Sequence, residues 1–113
     1  VESNNTRGTA QRITAALPVT VNGNSQSSDN DYYAVTVPPG ATLRATLTSP
    51  ANADYDLYLY RALTGGAGAS STLGTGAVDS ASLANTGTAA ATYYVRVRYY
   101  RGAAGAYTLR LSL

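Results

Sequence analysis

The sequence contains no His, Lys, Cys, Met, Phe or Trp. Without His or Lys, Ser–His, Cys–His and Ser–Lys nucleophile pairs are impossible, as are Schiff-base chemistry and imidazole ligation of a metal. Without Cys there is no disulfide, no zinc thiolate site and no thiol catalysis. The compartment stays open on that ground, because a cysteine-free chain tolerates oxidising and reducing surroundings alike. Charge is scarce too, at 12% of residues and a net +2. That gives no long-range field to draw nucleic acid or an acidic membrane, so neither is expected as a partner. No apolar run approaches the length of a membrane span, and no signal peptide is seen. Only carboxylates, Tyr, Arg and hydroxyls remain for acid–base work. Composition argues against an enzyme.

What is present reads as strands. The 113 residues, 44% of them apolar, suit one domain spanning 1–113, and a start at Val1 reads as a cut from a longer chain. Period-two alternation recurs in "YYAVTVPPG", "ATLRATL", "DYDLYLY", "TYYVRVRYY" and "AYTLRLSL", with no convincing helical period. It places Tyr33, Val35, Val37, Leu43, Leu47, Leu57, Leu59, Tyr93, Val95, Val97, Tyr107, Leu109 and Leu111 in the core, with Ala45, Tyr55, Tyr99 and Leu113 also inward. A slip of one residue would bury Arg96, Arg98 and Arg110. Pro38, Pro39 and Gly40 end one strand. "NGNSQSSDND" (Asn22 to Asp31) reads as a loop, Thr64 to Gly76 as another, and "RGAAG" as a hairpin turn, with a weak strand around Ala77 to Leu83. The predicted fold is an all-β antiparallel sandwich with a jelly-roll or Greek-key path.

Chemistry-bearing residues gather in few places. The run from Thr92 to Gly102 holds four of the ten tyrosines and three of the eight arginines. Its outward residues are Tyr94, Arg96, Arg98 and Tyr100, and those of "DYDLYLY" include Tyr58 and Tyr60. Rings with hydroxyl tips beside guanidinium forks are enriched at binding hot spots. The same pattern also arises on a solvated strand face whose arginines pair with Asp or stack on tyrosine. Asp54 and Asp56 share a strand face at about 6.5–7 Å between Cα atoms. Such a pair could serve a glycosidase, but a structural role at the strand entry fits better. Asp29 and Asp31 stand at the lip of a loop, where Asx hydrogen bonds would cap a turn.

Three motifs occur in order: "DNDYYAVTVPPG", "DYDLYLY" and "TYYVRVRYYRGAAGAYTLRL". Together they resemble the bacterial pre-peptidase C-terminal domain, which is similar to the clostridial collagen-binding domains, and the resemblance runs from about Glu2 to Leu113. It implies a secreted, extracellular, non-catalytic β-sandwich, read as a monomer and carried after the catalytic domain of a bacterial peptidase. Such a domain would bind insoluble or fibrous protein such as collagen, or would serve secretion or maturation without a specific ligand. The strip Tyr58, Tyr60, Tyr94, Arg96, Arg98 and Tyr100 would be its substrate face, because in the collagen-binding relatives the matching strands lie near each other in one sheet. The resemblance also implies calcium. In those relatives an E-x-N-N segment joins the D-x-D loop to hold the ion, which here would draw on Glu2, Asn4, Asn5, Asn22, Asp29 and Asp31. Calcium takes six to eight oxygen ligands, which carboxylates and Asn carbonyls supply.

Overall fold

The computed structural model describes residues 7–13, 17–25, 30–49, 52–62, 65–71, 78–102 and 105–113. The alternating stretches form strands because each can bury one face and wet the other. In chain order the strands are β1 (Gln11–Arg12), β2 (Val19–Ser25), β3 (Asn30–Val37), β4 (Thr42–Thr48) and β5 (Ala53–Tyr60). They continue as β6 (Ala69–Ser71), β7 (Val78–Ala84), β8 (Ala91–Gly102) and β9 (Gly105–Ser112), and a 3₁₀ turn at Arg7–Thr9 precedes them. Sheet A has the order β1-β3-β8-β5-β6, and sheet B the order β2-β9-β4-β7. From β2 onward each strand crosses to the opposite sheet, with β5 to β6 the one exception among the described strands. That path is a jelly roll. Pairing is antiparallel except between β1 and β3.

All thirteen residues assigned to the core by alternation are buried in a single cluster, joined by Ala45, Ala53, Tyr55 and Leu83. Three of its rings meet at one end: Tyr55 lies 5.6 Å from Tyr99 and meets Tyr107 edge-on at 6.2 Å. Both are favourable aromatic geometries. Asn85 plugs the other end, donating to the carbonyls of Val37 at 2.9 Å and Ala89 at 3.0 Å. A buried amide so satisfied costs the core little.

The structure corrects several expectations. Leu113 is 50% exposed, because β9 ends at Ser112 and no described strand pairs with the last residue. Tyr99 is only half-buried, although it packs on the core. The loop read from Asn22 to Asp31 is strand at both ends, since β2 runs to Ser25 and β3 starts at Asn30. Backbone pairing with β9 holds Asn22, Gly23, Asn24 and Ser25 in place with no apolar side chain among them. The stretch from Thr64 to Gly76 contains β6, which pairs with Leu57, Tyr58 and Leu59; Thr64 and residues 72–76 lie outside the described residues.

"RGAAG" is not a hairpin turn. The strand before it belongs to sheet A and the strand after it to sheet B, so the chain changes sheets between Gly102 and Gly105; Ala103 and Ala104 lie outside the described residues. Gly102 makes the change possible. Its φ of 95° lies where side chains are disfavoured, and a Cβ would stand 2.7 Å from the Cα of Ala53.

Candidate binding face

The outer face of sheet A collects all six residues of the expected substrate strip, because β5 and β8 are direct antiparallel neighbours. Tyr58 faces Arg96 in register and Tyr60 faces Tyr94, with Asp56 opposite Arg98. On the other side of β8, β3 adds Asn30 opposite Arg98 and Tyr32 opposite Arg96. Tyr32 alternates with the buried Tyr33, and the strand order shows that it completes this face.

Arg96 is the hub. Its Nε donates to Asn30 Oδ1 at 2.8 Å and its Nη1 to the Tyr60 hydroxyl at 3.1 Å. Its guanidinium carbon lies 5.0 Å from the Tyr58 ring centre and 5.8 Å from that of Tyr32. Both distances fall within cation–π range. Burial raises the Tyr32 hydroxyl above its ordinary value, with Arg96 opposing. That phenol stays neutral at physiological pH and can donate a hydrogen bond.

Tyr60 is not a surface residue. It is 6% exposed, with Arg7 at 4.1 Å over its ring and Tyr32 beside it at 6.2 Å. Arg7 is itself fixed by donating to the carbonyls of Ala62 at 2.9 Å and Gly65 at 2.8 Å. Nothing local in the sequence predicts that contact, because its partners are more than fifty positions away. The open part of the strip is therefore Tyr58, Tyr94, Arg96 and Arg98, all half-buried, and Tyr100, which is exposed. Tyr100 is 53% exposed, and Arg98 lies 5.6 Å from its ring centre.

Opposite Arg98 on β5 stands Asp56, with Asp54 on the same strand and Asp79 on β7 of sheet B. Asp54, Asp56 and Asp79 are all buried. A pair so closed to solvent cannot flank a glycosidic bond, which removes the glycosidase reading of Asp54 and Asp56. Burial first, then the charges of Asp54 and Asp79, push the Asp56 carboxyl up to about 6, against the pull of Arg98. A folded-state value above the unfolded one favours the protonated form in the fold. The resulting stability is complete below the unfolded value near pH 4 and is lost as pH rises through about 6. Thermal melts should therefore show a higher Tm at pH 5 than at pH 7.5, and Asp56→Asn should flatten that difference. A parent Tm equal at both pH values would contradict this.

The described residues of the expected calcium set do not converge. Asp31 points between the sheets at 3% exposure and accepts a hydrogen bond on Oδ2 from the Tyr107 hydroxyl at 2.6 Å. The Tyr33 hydroxyl donates in turn to that of Tyr107. This buried chain raises the Tyr107 phenol far above its ordinary value, through burial and then its bonds to Asp31 and Tyr33. Asn22 is exposed on the outer face of sheet B, where Thr108 Oγ1 meets its Oδ1 at 3.5 Å. Period two explains the separation, because Gly23, the neighbour of Asn22, is the residue that faces Tyr107. Glu2, Asn4, Asn5 and Asp29 lie outside the described residues. Among the described residues no group of three or more acidic side chains could hold a metal ion.

The fold has known counterparts. It resembles the pre-peptidase C-terminal domain of a collagenase from Bacillus anthracis, with a TM-score of 0.70, 18% identity, and 91% of this chain and 94% of that one covered. It also resembles PliG of Aeromonas hydrophila, a periplasmic inhibitor of g-type lysozyme, with a TM-score of 0.69, 16% identity and the same coverage. A third counterpart is the Yersinia pseudotuberculosis-derived mitogen, with a TM-score of 0.65, 18% identity, and 86% and 87% covered. No protein-family model matches the sequence, and no curated protein matches it.

Proposed function

We propose that this chain is a non-catalytic accessory domain of a secreted bacterial peptidase, and that the outer face of sheet A holds insoluble protein such as collagen. The observation that carries the reading is the half-open cluster Tyr58, Tyr94, Arg96, Arg98 and Tyr100, built across the β5–β8 pair. Rings offer flat apolar area to prolines and aliphatic side chains, and guanidinium forks meet carbonyls and acids of an extended chain. The absence of His, Lys and Cys supports a binding role over catalysis, and the fold shared with a collagenase domain supports the peptidase setting.

One observation favours a second reading, an appendage for secretion or maturation with no specific ligand. Arg96 and Tyr60 are already engaged within the face, which stiffens the sheet without any partner. Co-sedimentation with insoluble collagen separates the two. The parent should pellet with the fibres, and the double variant Arg98→Ala, Tyr100→Ala should bind about tenfold more weakly while still folding and melting cooperatively. A parent that stays in the supernatant makes the domain an appendage.

A further inference from the structure

The outer face of sheet B has a chemistry of its own. Its outward positions alternate with buried Leu43, Ala45 and Leu47 on β4 and with buried Tyr107, Leu109 and Leu111 on β9. None of the ten tyrosines lies on it, and the described carboxylates are all buried. Two arginines stand there, Arg44 and Arg110, both exposed. Arg110 lies in register between Thr20 of β2 and Thr46 of β4. Arg44 lies in register between Ser112 of β9 and Ser82 of β7. Each guanidinium therefore rises from a strand flanked on both sides by hydroxyl side chains.

The two arginines are diagonal neighbours across the β4–β9 pair, a spacing of about 7–8 Å. Like charges so placed repel, and no acid among the described residues on this face offsets them. The contrast with sheet A is chemical. There Arg7 and Arg96 are held by ring faces, carbonyls and an amide. Neither Arg44 nor Arg110 makes a hydrogen bond or ion pair with a described residue. Both side chains are exposed, and no described residue takes up their donors.

We propose that this face binds an acidic polysaccharide, with Arg44 and Arg110 each taking a uronate carboxylate through the guanidinium fork and the flanking hydroxyls exchanging hydrogen bonds with the sugar. Guanidinium and carboxylate match in bidentate geometry, and Ser and Thr both donate and accept. Single-stranded nucleic acid needs rings to stack its bases, and this face has none. Duplex DNA presents a charge about every 1.7 Å and calls for many basic contacts. Two separated cations suit a polymer whose charges are spaced by whole sugar units.

The test is retention on immobilised polygalacturonate at low ionic strength, with neutral dextran and duplex DNA as parallel arms. The parent should be retained on polygalacturonate alone, and less so as salt rises. Arg44→Gln with Arg110→Gln should weaken retention at least about tenfold, while the fold survives because both side chains are exposed. Arg98→Ala with Tyr100→Ala should leave retention unchanged, which separates this surface from that of sheet A. A parent that passes through unretained would overturn the proposal. So would a double-glutamine variant retained as well as the parent, or equal retention on DNA, which would mark simple polyanion exchange.

Discussion

Gly23→Ala should cost about 2–4 kcal/mol of folding stability, although it adds one methyl group. Gly23 is buried on β2 directly opposite Tyr107, and a Cβ there would stand 2.5 Å from the Tyr107 hydroxyl oxygen and 2.8 Å from its Cε1. The ring has no room to retreat, since Tyr55 packs against it edge-on and its hydroxyl is held between Tyr33 and Asp31. Moving the ring breaks both hydroxyl bonds and leaves the Asp31 carboxylate, already buried, without that donor. Overpacking of this kind costs about 1–3 kcal/mol, and a lost bond to a buried charged group adds a comparable amount. Urea denaturation of parent and variant measures the difference. A loss under about 0.5 kcal/mol, the scatter of ordinary surface changes, would mean that the ring moves freely.

Leu57→Ala should cost about 2–5 kcal/mol, as large-to-small changes in a packed core do. Leu57 is fully buried in β5, in register with Val97 on one side and Ser71 on the other. Strands on both flanks pin the backbone, so the site cannot collapse into the void. Leu113→Ala is the control, because that side chain is half exposed beyond the end of β9 and should change stability by less than about 0.5 kcal/mol. Equal losses for the two leucines would contradict the placement of the core.

Alternation made the faces legible and left the neighbours hidden. Period two assigned Tyr33, Leu57 and Leu109 inward and Arg96 and Arg98 outward, because a one-residue slip would have buried the arginines. It says nothing of which sheet a strand joins. "RGAAG" therefore read as a hairpin although the chain changes sheets there. β2 was not among the alternating stretches, because from Asn22 to Ser25 its pairing runs through backbone groups of Asn, Gly and Ser. Asp31 shares its phase with Tyr33, so the alternation already pointed inward, and only the dense polar run before it suggested a loop. The strands of the tyrosine–arginine strip do lie side by side in one sheet, but Tyr60, read as outward, is buried within it. What the sequence could not supply was Arg7 over Tyr60, a contact that depends on the fold bringing the chain start across to β5.

The most direct measurement of the central claim is amide chemical-shift mapping of the labelled domain as soluble gelatin is titrated in. Shifts should concentrate at Asn30, Tyr58, Arg96, Arg98 and Tyr100 on β3, β5 and β8, with little change along β2, β9 and β4. Perturbations confined to sheet B, or none at saturating gelatin, would contradict a protein-binding role for the outer face of sheet A.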